Sequence, residues 1–318
     1  MNARTGAATL LHPQSVRDAL QHACRAELAA MKPGNVSVYA DGHGMTVEDF
    51  RRSADAAAPV LARPGLRVGQ RIAGAIDATR RVVGCNTNLG IVLLCAPLAH
   101  TALRLRGGQS LRAALGETLQ ALDEEDARLA YAAIRQARPG GMGEVHEHDI
   151  RSAAPRVTLL EAMAAAADRD RIACQYAHGY RDLFDFAEPH LRAALDRWHS
   201  EEWAVVSLYL ALLAAFGDSL VARKHGAGTA AHLRADAARV AARLEACSDP
   251  AAMLARLIQF DRRLKARRIN PGTTADLVVA TLLVRQLHDD MQATGHAPVP
   301  GREVGSGCRP PPVLLLAT

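Results

Sequence analysis

Four short motifs, each containing glycine or proline, hold many of the side chains that could do chemistry in this 318-residue chain. They lie at residues 32–36, 86–90, 217–226 and 270–276. Glycine and proline end helices, and glycine lets a ligand approach the backbone closely. Carboxylates beside basic side chains can hold a metal–triphosphate. The motifs therefore indicate a site for a phosphorylated small molecule.

Lysine is rare in this chain, and its placement supports the same interpretation. Of the 38 basic residues only Lys32, Lys224 and Lys265 are lysine. The first two adjoin glycine-bearing turns, and the third precedes Asn270 by five residues. A lysine among so many arginines supplies a compact point charge, as phosphate binding can require. Chance placement of three lysines is the alternative.

The first two motifs lie at predicted helix ends. Lys32–Asn35 ends the first long helix, shortly after Glu27, and in the simplest interpretation it is only a helix stop. Asn86–Gly90 leads into a nearly uniform apolar run. Asparagine and threonine are ordinary N-caps, while the free amides of a helix N-terminus also bind phosphate. Spacing alone favours capping.

The last two motifs combine acids with helix starts. In a helical 217–226 segment, Asp218 and Arg223 would lie close to one side, and they could hold a metal–triphosphate. A surface ion pair is the alternative. In the 270–276 motif, a turn at Asn270 delivers a threonine-capped helix with Asp276 in its first turn. A plain capped helix would need no ligand.

The composition predicts an all-α fold to position these motifs. The chain is 49% hydrophobic but only 4% aromatic, so its core consists mainly of Ala, Leu and Val. Alanine and leucine favour helices. We predict one helical domain of about ten or more helices over residues 1–298, followed by an irregular Pro-rich tail over 299–318. The predicted helices are 16–31, one after Thr46, 69–83, 88–103, 110–137, 156–167, 168–186, 189–216, 230–246, 250–267 and 274–293.

Charge and cysteine content exclude several functional classes. The net charge of +5 is spread along the chain, without the basic stripe of a nucleic-acid-binding protein. The six cysteines form no CxxC pair, which argues against a zinc site or a disulfide framework. The N-terminus has no charged region followed by an apolar run, so we expect no secretory signal, and the longest apolar stretch, 203–216, is too short to span a bilayer. We expect a cytoplasmic protein with no membrane partner; a homodimer is left open.

The order and content of the four motifs resemble the triphosphoribosyl-dephospho-CoA synthase family over residues 26–287. The resemblance implies an all-helical enzyme. Family members join ATP to dephospho-CoA with loss of adenine, so that the triphosphoribosyl group ends up on the 2′-hydroxyl. The resemblance also implies that Mg²⁺ is bound together with ATP. The nucleotide-binding positions that it implies are Lys32, Gly34, Asn35, Asn86, Thr87, Gly90, Arg223, Lys224, Gly226, Asn270 and Gly272.

The chemistry of this reaction suggests roles for individual residues. Asp218 and Asp276 are candidates for metal binding and for stabilising the oxocarbenium-like ribosyl group. Asn86 and Asn270 are candidates for orienting the substrate. The acid–base candidates are Glu27, His43 and His225. We expect Asp218→Asn and Asp276→Asn to abolish turnover with the fold intact, since neither residue is expected in the apolar core.

The middle loop departs from the family pattern. Residues 139–149 lack the Arg-Gly-Glu sequence usual in prosthetic-group synthases, and Asn86–Gly90 is closer to the archaeal, one-carbon branch. One alternative is therefore a nucleotide-dependent enzyme acting on a pterin-type coenzyme precursor. A non-catalytic nucleotide-binding scaffold is the other. The loop's acids and histidines (Glu144, His146, Glu147, His148 and Asp149) could bind a metal, although a solvated loop is favoured.

Overall fold

The computed structural model describes residues 11–137 and 156–293, and in these ranges it contains thirteen α-helices and no β-strand. The predicted all-α class is confirmed. The helices are α1 Pro13–Ala29, α2 Val47–Leu61, α3 Val68–Val82, α4 Leu89–Ala102, α5 Leu111–Gln120, α6 Glu124–Ala137, α7 Leu159–Ala164, α8 Arg171–Ala177, α9 Glu188–Trp198, α10 Glu201–Phe216, α11 Ser219–Ala246, α12 Leu254–Ala266 and α13 Gly272–Ala293. A π-helical turn, Leu183–Ala187, and a 3₁₀ turn, Pro250–Met253, complete the elements.

Apolar helix α4 lies at the centre of the core, as its composition predicted. Nearly all of its residues are buried. Pro97 within α4 has no N–H, so the carbonyl of Leu93 lacks its helical donor. The Tyr176 hydroxyl donates to that carbonyl at 2.6 Å, and the Tyr180 hydroxyl donates to the Leu94 carbonyl at 3.0 Å. The buried Leu93 carbonyl thereby gains a hydrogen-bond donor, and the same bond holds α8 against α4.

Helix α13 packs against helices from both halves of the described chain. It contacts α1, α4, α10 and α11, and most of its residues are buried. Its apolar residues belong to the same core cluster as those of α1 and α4. The first turn of α13 therefore lies where elements distant in sequence meet.

Several predicted helix bounds are wrong. The predicted helix 110–137 is two helices, and 189–216 divides at His199, which adopts a left-handed conformation with φ 49° before Ser200 caps α10. Segment 168–186 also divides, into α8 and the π-helical turn. Conversely, α11 begins at Ser219 rather than at 230 and bends at Gly226, where φ is +83°. Apolar periodicity does not reveal a single-residue break, so these interruptions were missed. The predicted loop 139–149 and tail 299–318 lie outside the described residues.

Within the described ranges, no single helix is long and apolar enough to cross a membrane. Helices α10 and α11 reach the length and hydropathy of a membrane span only when taken together, and they are bent by 53° at their junction.

Candidate active site

The four motifs converge on one cleft of about 1110 Å³. It is enclosed by α4, α6, α7, α8, α11 and α13 together with the turns before α2, α4 and α13. Eleven of the predicted nucleotide-binding or catalytic residues line it: Glu27, Asn35, Asn86, Thr87, Gly90, Asp218, Arg223, Lys224, Asn270, Gly272 and Asp276. Lys32, Gly34 and Gly226 do not.

The first and fourth motifs meet as two Pro-Gly turns. Asn35 Nδ2 donates to Asn270 Oδ1 at 2.9 Å, across 235 residues of sequence. A Cβ on Gly34 would lie 2.9 Å from both the Ile269 carbonyl oxygen and Pro271 Cδ, and its φ of +88° favours glycine. Gly34 therefore acts by letting the two turns approach each other, and it holds Asn270 at the cleft without lining the cleft itself.

The third and fourth motifs are joined by Asp218. Its Oδ1 accepts from the Val221 N–H at 2.9 Å and caps α11, while its Oδ2 accepts from the backbone N–H and the hydroxyl of Thr274, both at 2.8 Å. Asp218 is only 2% exposed, so the expectation that it lies outside the buried interior is wrong. Burial raises the pKa of its carboxyl, and the hydrogen bonds from Thr274 and Val221 oppose that shift.

The substitution Asp218→Asn is therefore expected to destabilise the fold, by about 1–3 kcal/mol, because an amide cannot accept all three hydrogen bonds. Urea unfolding monitored by helicity measures this change. Asp77→Asn is the matched control, since Asp77 is an exposed partner of Arg81 on α3. Equal unfolding midpoints for Asp218→Asn and the wild-type protein would contradict the joining role.

The second and fourth motifs meet where Gly90 contacts Asp276. A Cβ on Gly90 would collide with the Asp276 carboxylate. The Asn88 side chain does not cap α4, and the backbone N–H of Ile91 in the first turn lies close enough to Asp276 to lower the pKa of its carboxyl. The start of α4 is thus directed at a carboxylate from α13, which argues against a phosphate at those amides.

Asp276 is electrostatically unusual. Burial raises the pKa of its carboxyl well above its usual range, and the negative charges of Asp218, Glu27 and Asp170 add to the effect. The Ile91 N–H only partly opposes it. A carboxyl group whose pKa is raised in this way is suited to general acid catalysis.

Gly90→Ala tests the closeness of this contact. The added methyl group must displace Asp276, and we expect loss of about 10²-fold or more in turnover because catalytic groups tolerate little displacement. Gly116→Ala on α5 is the control, since a Cβ there meets nothing within 4 Å. Turnover by Gly90→Ala equal to that of the control would show that Asp276 is not positioned for catalysis.

Lys32 is placed differently from its prediction. It is completely buried, and its ammonium donates to the carbonyls of Glu27, Ala30 and Val36 at 2.6, 3.2 and 3.1 Å. It also lies 3.2 Å from Glu27 Oε1. With its donors used in this way, Lys32 does not fit a phosphate-binding role, and it instead positions Glu27 at the cleft. Burial raises the pKa of Glu27, and the Lys32 ammonium opposes that shift.

Six of the described basic residues line the cleft, and we call the four on α11 and before Asn270 the cationic wall: Arg223, Lys224, Arg234 and Arg268, with Arg169 and Arg171 lying apart from them. Arg223 pairs with Asp170 at 3.1 Å, and Arg234 Nε donates to the Ala214 carbonyl at 2.9 Å. Lys224 makes no hydrogen bond or ion pair with another described residue, which leaves its ammonium available to a ligand.

Sequence reasoning missed the contribution of segment 168–171 to the cleft. Asp170 caps α8 through the N–H groups of Ile172 and Ala173, and Arg171 lies over the Phe216 ring at 4.0 Å while pairing with Asp182. The alternation of Asp and Arg over residues 168–171, around the N-cap Asp170, was the only sequence feature that could have indicated this contribution. It was indistinguishable from a solvated helix start.

The remaining predicted residues have local partners. Asn86 Oδ1 accepts from the Leu89 N–H at 3.2 Å, so it caps α4 as spacing favoured. The Thr87 hydroxyl bonds to Ser53 at 2.5 Å. His43 lines the cleft with its Nε2 2.8 Å from the Gly34 carbonyl, and burial lowers its pKa. His225 lies outside the cleft lining and contacts the Arg268 carbonyl at 3.2 Å.

The described residues contain no group of three or more His, Cys, Asp or Glu side chains arranged to hold a metal ion. Of the predicted metal pair, Asp218 already accepts three hydrogen bonds, and the raised pKa of Asp276 favours its protonated form, which is a poor metal ligand. This donor set fits a Mg²⁺ that is held mainly by the phosphates of its nucleotide, since Mg²⁺ commonly binds substrate phosphates. It does not fit a site that holds the ion by protein ligands alone.

A family described as CitG, ATP:dephospho-CoA triphosphoribosyl transferase, matches residues 13–295. The chain belongs to this family. The resemblance drawn from the four motifs is therefore confirmed. Neither the pterin-linked alternative nor the non-catalytic scaffold is favoured by this match.

Two relatives illustrate the family. A Citrobacter koseri protein named "probable 2-(5''-triphosphoribosyl)-3'-dephosphocoenzyme-A synthase" is 32% identical over 109 residues, which is 34% of this chain and 35% of that protein. The match thus spans about a third of that relative's length. An Archaeoglobus fulgidus crystal structure of a candidate triphosphoribosyl-dephospho-CoA synthase has a TM-score of 0.58 at 23% identity, covering 73% of this chain and 95% of that one. It shares the fold.

Proposed function

We propose that this chain transfers the triphosphoribosyl group of ATP to the 2′-hydroxyl of dephospho-CoA and releases adenine. The observation that carries the proposal is the convergence of all four family motifs on one cleft, which Asp276 also lines. The C1′–N9 bond of ATP breaks, and a bond forms between C1′ and the 2′-oxygen of the acceptor. The proton of that hydroxyl is balanced by the proton that adenine gains.

The acidic residues supply the proton transfers. Asp276, whose raised pKa favours its protonated form, donates to the departing adenine. Glu27 lines the same cleft, and its ionised form is supported by Lys32 at 3.2 Å. We assign it the role of base toward the acceptor hydroxyl. A negative carboxylate also stabilises the oxocarbenium character that develops as the C–N bond breaks, as in glycoside hydrolysis.

The cationic wall would bind the triphosphate. Lys224 and Arg223 lie on the first turns of α11, close in sequence to Asp218, and Arg268 precedes Asn270. Mg²⁺ enters as part of the MgATP substrate and neutralises phosphate charge. Asn35 and Asn270, which are bonded to each other, orient the ribose through their remaining amide groups.

Adenine release from ATP tests the proposal. We expect release only when dephospho-CoA and Mg²⁺ are both present, with one adenine formed for each molecule of modified acceptor, measured by chromatography and mass spectrometry. Chelation of Mg²⁺ with EDTA is expected to stop release, and added Mg²⁺ should restore it. Release that is independent of dephospho-CoA, or transfer of phosphate in place of adenine loss, would overturn the assignment.

A further inference from the structure

The cleft has a second wall of different chemistry. Its volume of about 1110 Å³ exceeds the roughly 300–1,000 Å³ typical of a single-ligand site. In contrast to the cationic wall, a second group of lining side chains is uncharged. These side chains come from α4, α6, α7, α8 and the turn after α7. We call these residues the apolar wall: Leu93, Tyr131, Ile134, Met163, Ala166 and Ile172.

The apolar wall begins beside the proposed reacting group. A Cβ on Gly90 would lie 2.8 Å from Ile172 Cδ1 and would also collide with Asp276, so Ile172 and Asp276 flank the same glycine. Helix α8 packs on α7, α7 on α6, and both α8 and α6 contact α4. The helices that carry the apolar wall therefore pack on one another, with Ile172 beside Asp276, and the charged residues 168–171 also line this part of the cleft.

We propose that the apolar wall binds the pantetheine arm of dephospho-CoA, an inference that rests on the proposed function. The arm is an uncharged chain that ends in a thiol. The remaining parts of ATP and dephospho-CoA carry negatively charged phosphate groups. Uncharged side chains match the arm and cannot compensate phosphate charge, while the cationic wall can. With the acceptor's 2′-hydroxyl at Glu27 and Asp276, the arm extends from Ile172 toward α6 and α7. The wall then distinguishes dephospho-CoA from shorter nucleotides.

A large side chain introduced at Ala166 tests whether the apolar wall binds the arm, because it would fill that part of the cleft. It is partly exposed, lies in the turn after α7 and lines the cleft. Ala164, the last residue of α7, is exposed and does not line the cleft. Ala166→Trp should fill the space for the arm, and Ala164→Trp is the matched control with the same added volume.

The experiment measures calorimetric Kd values for dephospho-CoA and for ADP, which lacks the arm, in the absence of turnover. We expect the wild-type protein and Ala164→Trp to bind dephospho-CoA at least tenfold more tightly than ADP. In Ala166→Trp that preference should fall to about twofold or less, with ADP affinity retained. Equal affinity of the wild-type protein for both ligands, or equal weakening of both by Ala166→Trp, would overturn the proposal.

A second measurement covers the case in which Ala166→Trp fails to fold, as judged by helicity. Pantetheine alone should displace dephospho-CoA from the wild-type protein but leave the binding of a non-hydrolysable ATP analogue unchanged. Lack of displacement at millimolar pantetheine, or displacement of the ATP analogue as well, would count against the apolar wall as the arm's site. Failure of the proposed function has a different signature, namely no adenine release although both substrates bind.

Discussion

Replacing Asp276 with asparagine is expected to lower the rate of adenine release by about 10²–10⁴-fold, the usual contribution of a general acid. The amide has nearly the same shape, so it fits beside Gly90, but it cannot donate the proton that adenine needs to leave. We expect helicity and substrate affinity to stay close to those of the wild-type protein. Turnover assays measure the rate of adenine release, and calorimetry measures the substrate affinity.

The pH profile separates this role from a structural one. A protonated donor with a raised pKa makes the rate fall as pH increases through that pKa, so the alkaline limb of kcat/KM should belong to Asp276. Asp276→Asn should lose that limb. Asp168→Asn is the control, because it removes an exposed carboxylate from the same cleft. A profile whose alkaline limb survives in Asp276→Asn would show that another group donates the proton.

Replacing Lys32 with methionine is expected to give the largest loss of stability, about 3–5 kcal/mol, because it leaves a buried carboxylate without its partner. Three backbone carbonyls, those of Glu27, Ala30 and Val36, also lose a donor. Urea unfolding at fixed pH measures the change. We expect Glu27→Gln/Lys32→Met to be more stable than Lys32→Met alone, since the double variant has no buried charge.

The pH dependence of the Lys32→Met variant follows from Glu27. Burial raises the pKa of this carboxyl in the folded chain, and the substitution removes the opposing ammonium. The folded state then holds a proton that the unfolded state releases above about pH 4.3, so the unfolding free energy falls as pH rises through that window. The variant should be closer to wild-type stability at pH 5 than at pH 8. A deficit that is independent of pH would indicate that the lost carbonyl contacts dominate.

The sequence predicted the helical fold and the location of the site better than the role of each side chain. An alanine- and leucine-rich core favoured helices, and the four motifs whose order indicated the family contribute residues to one cleft. Residue type did not show that Lys32 turns inward, since a lysine after a helix can reach either solvent or the last carbonyls. That choice depends on Glu27 and Val36, which contact it only after the turn at Gly34 has formed.

Long-range packing determined the rest. Asp218 is buried because Thr274, 56 residues away, supplies two donors to it. Segment 168–171 reaches the cleft because Tyr176 of α8, and Tyr180 just after it, hydrogen-bond to α4, a contact that no local pattern encodes. Side-chain roles at this site thus depend on partners that a linear motif does not contain.

The position of α13 has a consequence for biosynthesis. Domains begin to fold during translation from their N-terminal side, and pairings between distant residues form late. Asn270, Thr274 and Asp276 complete contacts with residues 35, 218 and 90, and α13 is the last of the described helices to leave the ribosome. A nascent chain that ends before residue 270 therefore holds most of the helices but no assembled reaction centre. Under the proposed function, unfinished chains would therefore not release adenine from ATP.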